Sequence, residues 1–198
     1  MVRVSGREYN GLNRSPCFQH GTMSCTSCHD LHRADFDQDE WANDQLGKGM
    51  RTNKACIQCH TEYSKEDQLT SHTHHQATSY GSLCYNCHMP HTTYGLLKAI
   101  RSHQVSSPSV RETVEVGRPN ACNQCHIDRT LSWTSNSLED WYGISSPALS
   151  QDQQNYSATL HAALSGDAGQ RVLAAWSLGW SAAHQASSTD WILSLIHI

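Results

Sequence analysis

Cys25-Thr-Ser-Cys-His29 sets a five-residue pattern that returns as Cys56-Ile-Gln-Cys-His60, Cys84-Tyr-Asn-Cys-His88 and Cys122-Asn-Gln-Cys-His126. Counted between first cysteines, the copies are 31, 28 and 38 residues apart. That is a loose repetition of one unit and not a solenoid period. Two cysteines held two residues apart can reach two vinyl groups on one porphyrin edge. A histidine directly after the second cysteine is drawn under the iron by the same short turn. The pattern therefore reads as four covalent haem attachments, with Cys25, Cys28, Cys56, Cys59, Cys84, Cys87, Cys122 and Cys125 forming thioethers. His29, His60, His88 and His126 are the proximal iron ligands. The expected cofactor is haem c, four copies per chain.

Zinc sites also use Cys-x-x-Cys pairs, and two pairs could supply four thiolates. Zinc does not require a histidine immediately after the second cysteine. With 14 histidines in 198 residues, filling that position four times by chance has a probability on the order of 2 in 100,000. Thioredoxin-like chemistry is weaker still, because no βαβ pattern surrounds any pair.

Outside the motifs, composition supports the same reading. The chain has only two phenylalanines, Phe18 and Phe36, and a formal charge of −4. A region so poor in conventional core residues needs covalent staples or bound apolar groups. Four porphyrins would supply both. The expected fold is mainly α with much irregular structure, organised around the haems. Nothing in the charge suggests a nucleic-acid partner or a polybasic membrane contact, and neither is expected. No run approaches 18 apolar residues, so no transmembrane helix is expected. Cys17 is the ninth cysteine, read as a small buried thiol or as one that pairs with a partner outside this chain.

Several helices are legible. Asp37 with Glu40 reads as a capping box opening a polar helix that Gly47 stops. Ser64-Lys-Glu-Asp67 predicts a helix running to about Ala77, with His72 and His75 sharing a face. Leu96, Leu97 and Ile100 predict another over Tyr94 to His103. After about Thr130 the cysteines end and Trp, Ala and Leu rise. Helices are expected over Ser135 to Tyr142, stopped by Gly143, and over Gln151 to Leu164, stopped by Gly166. A third is capped by Asp167 with Gln170. Val172, Trp176 and Trp180 form an apolar stripe on it.

The second axial ligand decides what each iron does. Histidine there gives a low-spin, six-coordinate iron suited to electron transfer, and an open position admits substrate. Ten histidines lie outside the motifs: His20, His32, His72, His74, His75, His91, His103, His161, His184 and His197. The strongest distal candidates are His32, His72, His75 and His103. His32 follows His29 too closely to return to its own iron but can reach a neighbouring haem. His103 lies at the end of an expected helix. Met50 and Met89 are weaker alternatives.

At this point the chain resembles exported multihaem cytochromes c of the tetrahaem kind, with paired Cys-x-x-Cys-His motifs. The likeness covers about Pro16 to Gly143. It rests on the motifs together with Ser15-Pro-Cys-Phe18, Asp30-Leu-His32, His72-Thr-His-His75, Met89-Pro90, Leu96-Leu-Lys-Ala-Ile-Arg-Ser-His103 and Gly117-Arg-Pro-Asn-Ala121. Gly166-Asp-Ala-Gly-Gln-Arg-Val-Leu-Ala-Ala175 is similar to the start of a HEAT-type helical repeat. The resemblance implies export to the periplasm or beyond, a removed signal peptide that Met1-Val-Arg-Val-Ser-Gly6 does not supply, and in some members a further motif upstream. The expected division is residues 1–130 for the haems, 131–192 for a helical tail, and 193–198. The last six, Leu193-Ser-Leu-Ile-His-Ile198, look like the translation of a sequencing adapter.

The functional expectation is an electron-transfer protein that hands electrons between redox partner proteins. The alternative is a multihaem oxidoreductase acting on a small nitrogen or sulfur oxyanion at one five-coordinate haem. No Cys-x-x-Cys-Lys variant is present to favour it, and no catalytic residue is assigned. The tail is expected to be more open to proteolysis than the haem part and removable without changing its visible spectrum.

Overall fold

The computed structural model describes residues 7–32, 44–95 and 98–187. The chain is mainly helical, with short helices joined by irregular segments. In order they are α1 (Arg7–Leu12), α2 (Pro16–Gln19), α3 (Lys54–Ile57), α4 (Glu66–Thr73) and α5 (Cys84–His88). A hairpin follows, β1 (His91–Tyr94) and β2 (Lys98–Arg101). Then come α6 (Val110–Val116), α7 (Ala121–Cys125), α8 (Leu131–Tyr142), α9 (Gln151–Asn155), α10 (Ala158–Ser165), α11 (Ala168–Leu178) and α12 (Ser181–Ala186).

The hairpin corrects the helix expected over Tyr94 to His103. Its strands are antiparallel, with His91 opposite Arg101 and Tyr94 opposite Lys98. Thr92, Thr93 and Tyr94 favour a pleated strand over a helix. Gly95, at φ +47°, takes the left-handed conformation needed where the chain leaves β1. Helix α11 lies directly on β1. A Cβ at Gly169 would come within 2.7 Å of Thr93 Oγ1, so that position must be glycine for the contact to close. The expected helix side chains Leu96 and Leu97, and the helix expected from Asp37, lie outside the described residues.

Two other helices differ from expectation. Helix α4 ends at Thr73, short of Ala77, because His74 turns into the left-handed region at φ +56°. Ser64 does not cap it. Its hydroxyl donates instead to the Thr61 carbonyl at 2.7 Å. The helix expected over Gln151 to Leu164 is broken after Asn155, because Ser157 accepts the Leu160 N–H at 3.0 Å and starts α10 anew. Helix α8 begins at Leu131, four residues earlier than expected, capped by Thr130, and Gly143 ends it at φ +66°. The Asp167–Gln170 capping box on α11 forms as expected.

The apolar core is small. Val110, Leu131 and Leu138 gather with Leu149 and Ala158, and Ile127 is fully buried. The buried face of α11 is Leu173, Ala174 and Ser177. Trp176 packs on His91, and Trp180 lies beyond the helix as the cap of α12. Ala182 and Ala183 of α12 are buried against α7. The tail helices thus pack on the hairpin and on the last motif.

Candidate functional site

Each motif closes one turn of chain. His29 N–H donates to Cys25 O at 2.9 Å, His60 N–H to Cys56 O at 3.0 Å, and His126 N–H to Cys122 O at 2.8 Å. The third motif is helix α5 itself. This i to i+4 bond places the first cysteine and the histidine on one side of the turn, as attachment and ligation of a single porphyrin demand. Asn120 caps the fourth turn by accepting Cys122 N–H at 3.0 Å.

Three motif histidines face a second histidine. His29 and His103 have ring centres 6.1 Å apart and planes 21° apart. His72 and His88 stand at 6.1 Å and 6°, and His75 and His126 at 5.9 Å and 34°. A metal–imidazole bond is about 2 Å, and the ring centre lies about 1 Å further on, so two histidines on opposite sides of one metal have centres about 6 Å apart. The three pairs match that spacing, so the residues fit three irons held by two histidines each. His72 and His75 do not share a face. The helix ends between them, and they serve different motifs. Of the four distal candidates, His72, His75 and His103 are brought to motif histidines. His32 is exposed and makes no such pair among the described residues. His60 is exposed, with Nδ1 3.7 Å from the Glu62 carboxylate, and among the described residues it faces no histidine at that spacing.

The outer partners set which ring nitrogen is free. The Nδ1–H of His29 donates to Asp44 O at 3.0 Å, that of His88 to Ser106 O at 3.1 Å, and that of His75 to Thr73 O at 2.5 Å. A carbonyl can only accept, so each of these rings carries its proton on the side away from the facing histidine. That leaves the opposite nitrogen bare for a metal. Burial also pushes the pKa values of His72, His88, His103 and His126 down, which keeps them neutral as ligation requires.

Among the thiols, burial raises Cys87 to about 11 and Cys122 and Cys125 to about 12. Cys56 and Cys84 lie close enough to shift each other, Cys84 down and Cys56 up. The described residues gather no group of three or more His, Cys, Asp or Glu of the kind a structural zinc needs.

Sequence reasoning missed the polar groups that hold this frame. Asn53 Nδ2 donates to Ser82 O at 2.8 Å and its Oδ1 accepts Cys84 N–H at 2.9 Å, tying the second motif to the third. Gln124 grips His91 in the same two-handed way, accepting its N–H and donating to its carbonyl. Ser15, fully buried, accepts Val105 N–H at 2.9 Å and donates to His103 O at 3.1 Å. The signal in the sequence was an amide placed within or just before a motif: Asn53, Asn120 and Gln124.

Gly81 is the tightest element of the frame. A Cβ there would overlap the His75 imidazole. Gly81→Ala is therefore expected to displace His75 from His126 and, where the two hold one iron between them, to convert that iron from low-spin to high-spin. Electron paramagnetic resonance of the ferric protein checks this. An unchanged spectrum would remove His75 from the ligand set.

Residues 36–127, a little under half of the chain, match the family model for cytochrome c7 and related cytochrome c. No curated protein and no solved structure matches the chain. The family match supports a multihaem cytochrome c with covalently bound haem, working in electron transfer with redox partner proteins. No helix among the described residues is long and apolar enough to cross a membrane.

Proposed function

We propose that the chain carries four haems c and passes electrons between redox partner proteins in the periplasm or outside the cell. Three irons are closed by histidine on both sides, in the pairs His29–His103, His88–His72 and His126–His75. The observation that carries this reading is the repeated 6 Å spacing of those pairs. When bound, the haems supply a one-electron ferric/ferrous couple.

The protein's part is to hold the ligands still and the groups close. The backbone carbonyls on Nδ1 fix ring orientation and raise ligand basicity. Two fixed histidines on an iron leave no position for substrate, which suits electron transfer better than catalysis. Consecutive motifs are also neighbours in space. Gln58 of the second reaches Ser27 O of the first at 3.1 Å, Asn53 just before the second accepts the N–H of Cys84 in the third at 2.9 Å, and Cys87 is within electrostatic reach of Cys122 and Cys125. That contact order supports transfer from motif to motif along the chain. The division into a haem part, residues 1–130, and a helical tail from 131 is one of chemistry, and the two parts are docked.

Protein matured in a periplasm is expected to show four haems per chain by pyridine haemochrome and intact mass, with mainly low-spin ferric signals. Bound zinc without covalent haem would end the reading.

A further inference from the structure

Arg101 is a mostly buried cation without a carboxylate. Its Nη1 donates to Tyr85 O at 3.0 Å and Met89 O at 3.2 Å, and its Nη2 to Asn86 Oδ1. The guanidinium lies 4.4 Å over the Tyr85 ring. All these partners are neutral. Among the described residues no ion pair joins Arg101 to an acid. The carboxylate within its electrostatic reach, Asp44, is taken by Arg51 at 2.9 Å. Three of the five guanidinium N–H groups are used, leaving Nε–H and one Nη2–H. A buried charge left in this state is costly, and evolution of a stable fold requires its counter-ion to come from somewhere.

We propose that Arg101 binds a propionate carboxylate of the haem attached at Cys25 and Cys28 and holds that haem's potential up. This rests on the reading of His29 and His103 as that haem's axial ligands. Arg101 is two residues before His103, and Asp44, within its reach, is the residue whose carbonyl orients His29. It is thus joined by the chain to the support of one ligand and by electrostatic reach to the support of the other. Propionates occupy the porphyrin edge away from the thioethers. Arg101 meets the third motif at Tyr85 and Asn86, between that motif's two cysteines, which is the side where its thioethers would form, so the propionates of a haem attached there would lie away from Arg101. The unused donors offer the paired geometry that suits a carboxylate, which a lysine cannot reproduce. A fixed positive charge beside the haem disfavours the more positive ferric state, and without it the propionate's negative charge would favour that state.

The test uses matured protein carrying Arg101→Gln or Arg101→Lys, with haem content and spin state read first. The haem is identified as the one whose spin state His103→Ala changes. Failure of the ligand assignment would show there, as His103→Ala without effect, independently of Arg101. In the spectroelectrochemical titration, R101Q is expected to raise the ferric-to-ferrous ratio of that haem about tenfold at fixed potential, equivalent to about 59 mV for a one-electron couple. R101K keeps the charge and is expected to stay within about twofold of the parent. A tenfold change confined to another haem, or none at any haem, overturns the proposal. If R101Q does not mature, the neutral variant R101M decides on the same readout: a tenfold higher ferric-to-ferrous ratio at that haem supports the proposal, and an unchanged ratio overturns it.

Discussion

His103→Ala is expected to turn one iron from low-spin to high-spin, and His72→Ala and His75→Ala to do the same at two other irons. The change is complete at the affected iron, because removing an axial ligand opens that position. After reduction each variant should bind one carbon monoxide per chain beyond the parent. The double variant His72→Ala/His75→Ala should bind two. The discriminating result is additivity. His72 and His75 are three residues apart, and a common helical face would have sent both towards one haem. The turn at His74 sends them to His88 and His126 instead. Identical spectra for the two single variants, with no further change in the double, would refute the separate pairs.

The second large effect is expected from removing the tail after Ser150. From the sequence, the tail seemed separable and the haem spectrum independent of it. The packing leads to the opposite expectation. Ala158 N–H donates to Arg129 O at 2.9 Å, Thr159 Oγ1 donates to Asn123 O at 3.1 Å, and Trp176 covers His91 at 4.1 Å. Two lost hydrogen bonds at about 1 kcal/mol each and an uncovered aromatic contact worth about 3 kcal/mol give a loss of about 5 kcal/mol. That corresponds to roughly 2 M in urea midpoint. The fourth haem should change its spectrum while the first keeps its own. An unchanged midpoint and spectrum would show that the tail is independent.

The sequence was most legible where chemistry is local. Each Cys-x-x-Cys-His is one turn, and the capping box at Asp167 and the stop at Gly143 depend on residues within four positions. It was least legible where a distant partner overrides local preference. Leu96, Leu97 and Ile100 carry a helical spacing, yet the described strands on either side pair and receive α11 through Gly169. Ser64 had a capping pattern and spent its hydroxyl on Thr61. Asn53 and Ser15 looked like ordinary polar residues, since their partners lie 29 and up to 90 positions away. His103 was found as a ligand candidate for the wrong local reason, as a helix end, when it follows a strand.

The buried Ser15 clamp joins the beginning of the described chain to its middle, and this sets an order of assembly. A polypeptide exported amino-terminus first presents His72 and His75 before the cysteine pairs of the third and fourth motifs. Those irons can gain both histidines as soon as they are attached. The first iron cannot. His103 emerges 74 residues after His29 (29 to 103), so of the three irons proposed to lie between two histidines this one must wait longest for its second ligand. Until then it has a vacant face. A chain stalled before position 103 should accumulate with its first haem in place but high-spin. Release of the stall should close that iron as α1 and Ser15 dock against the segment from His103 to Val105.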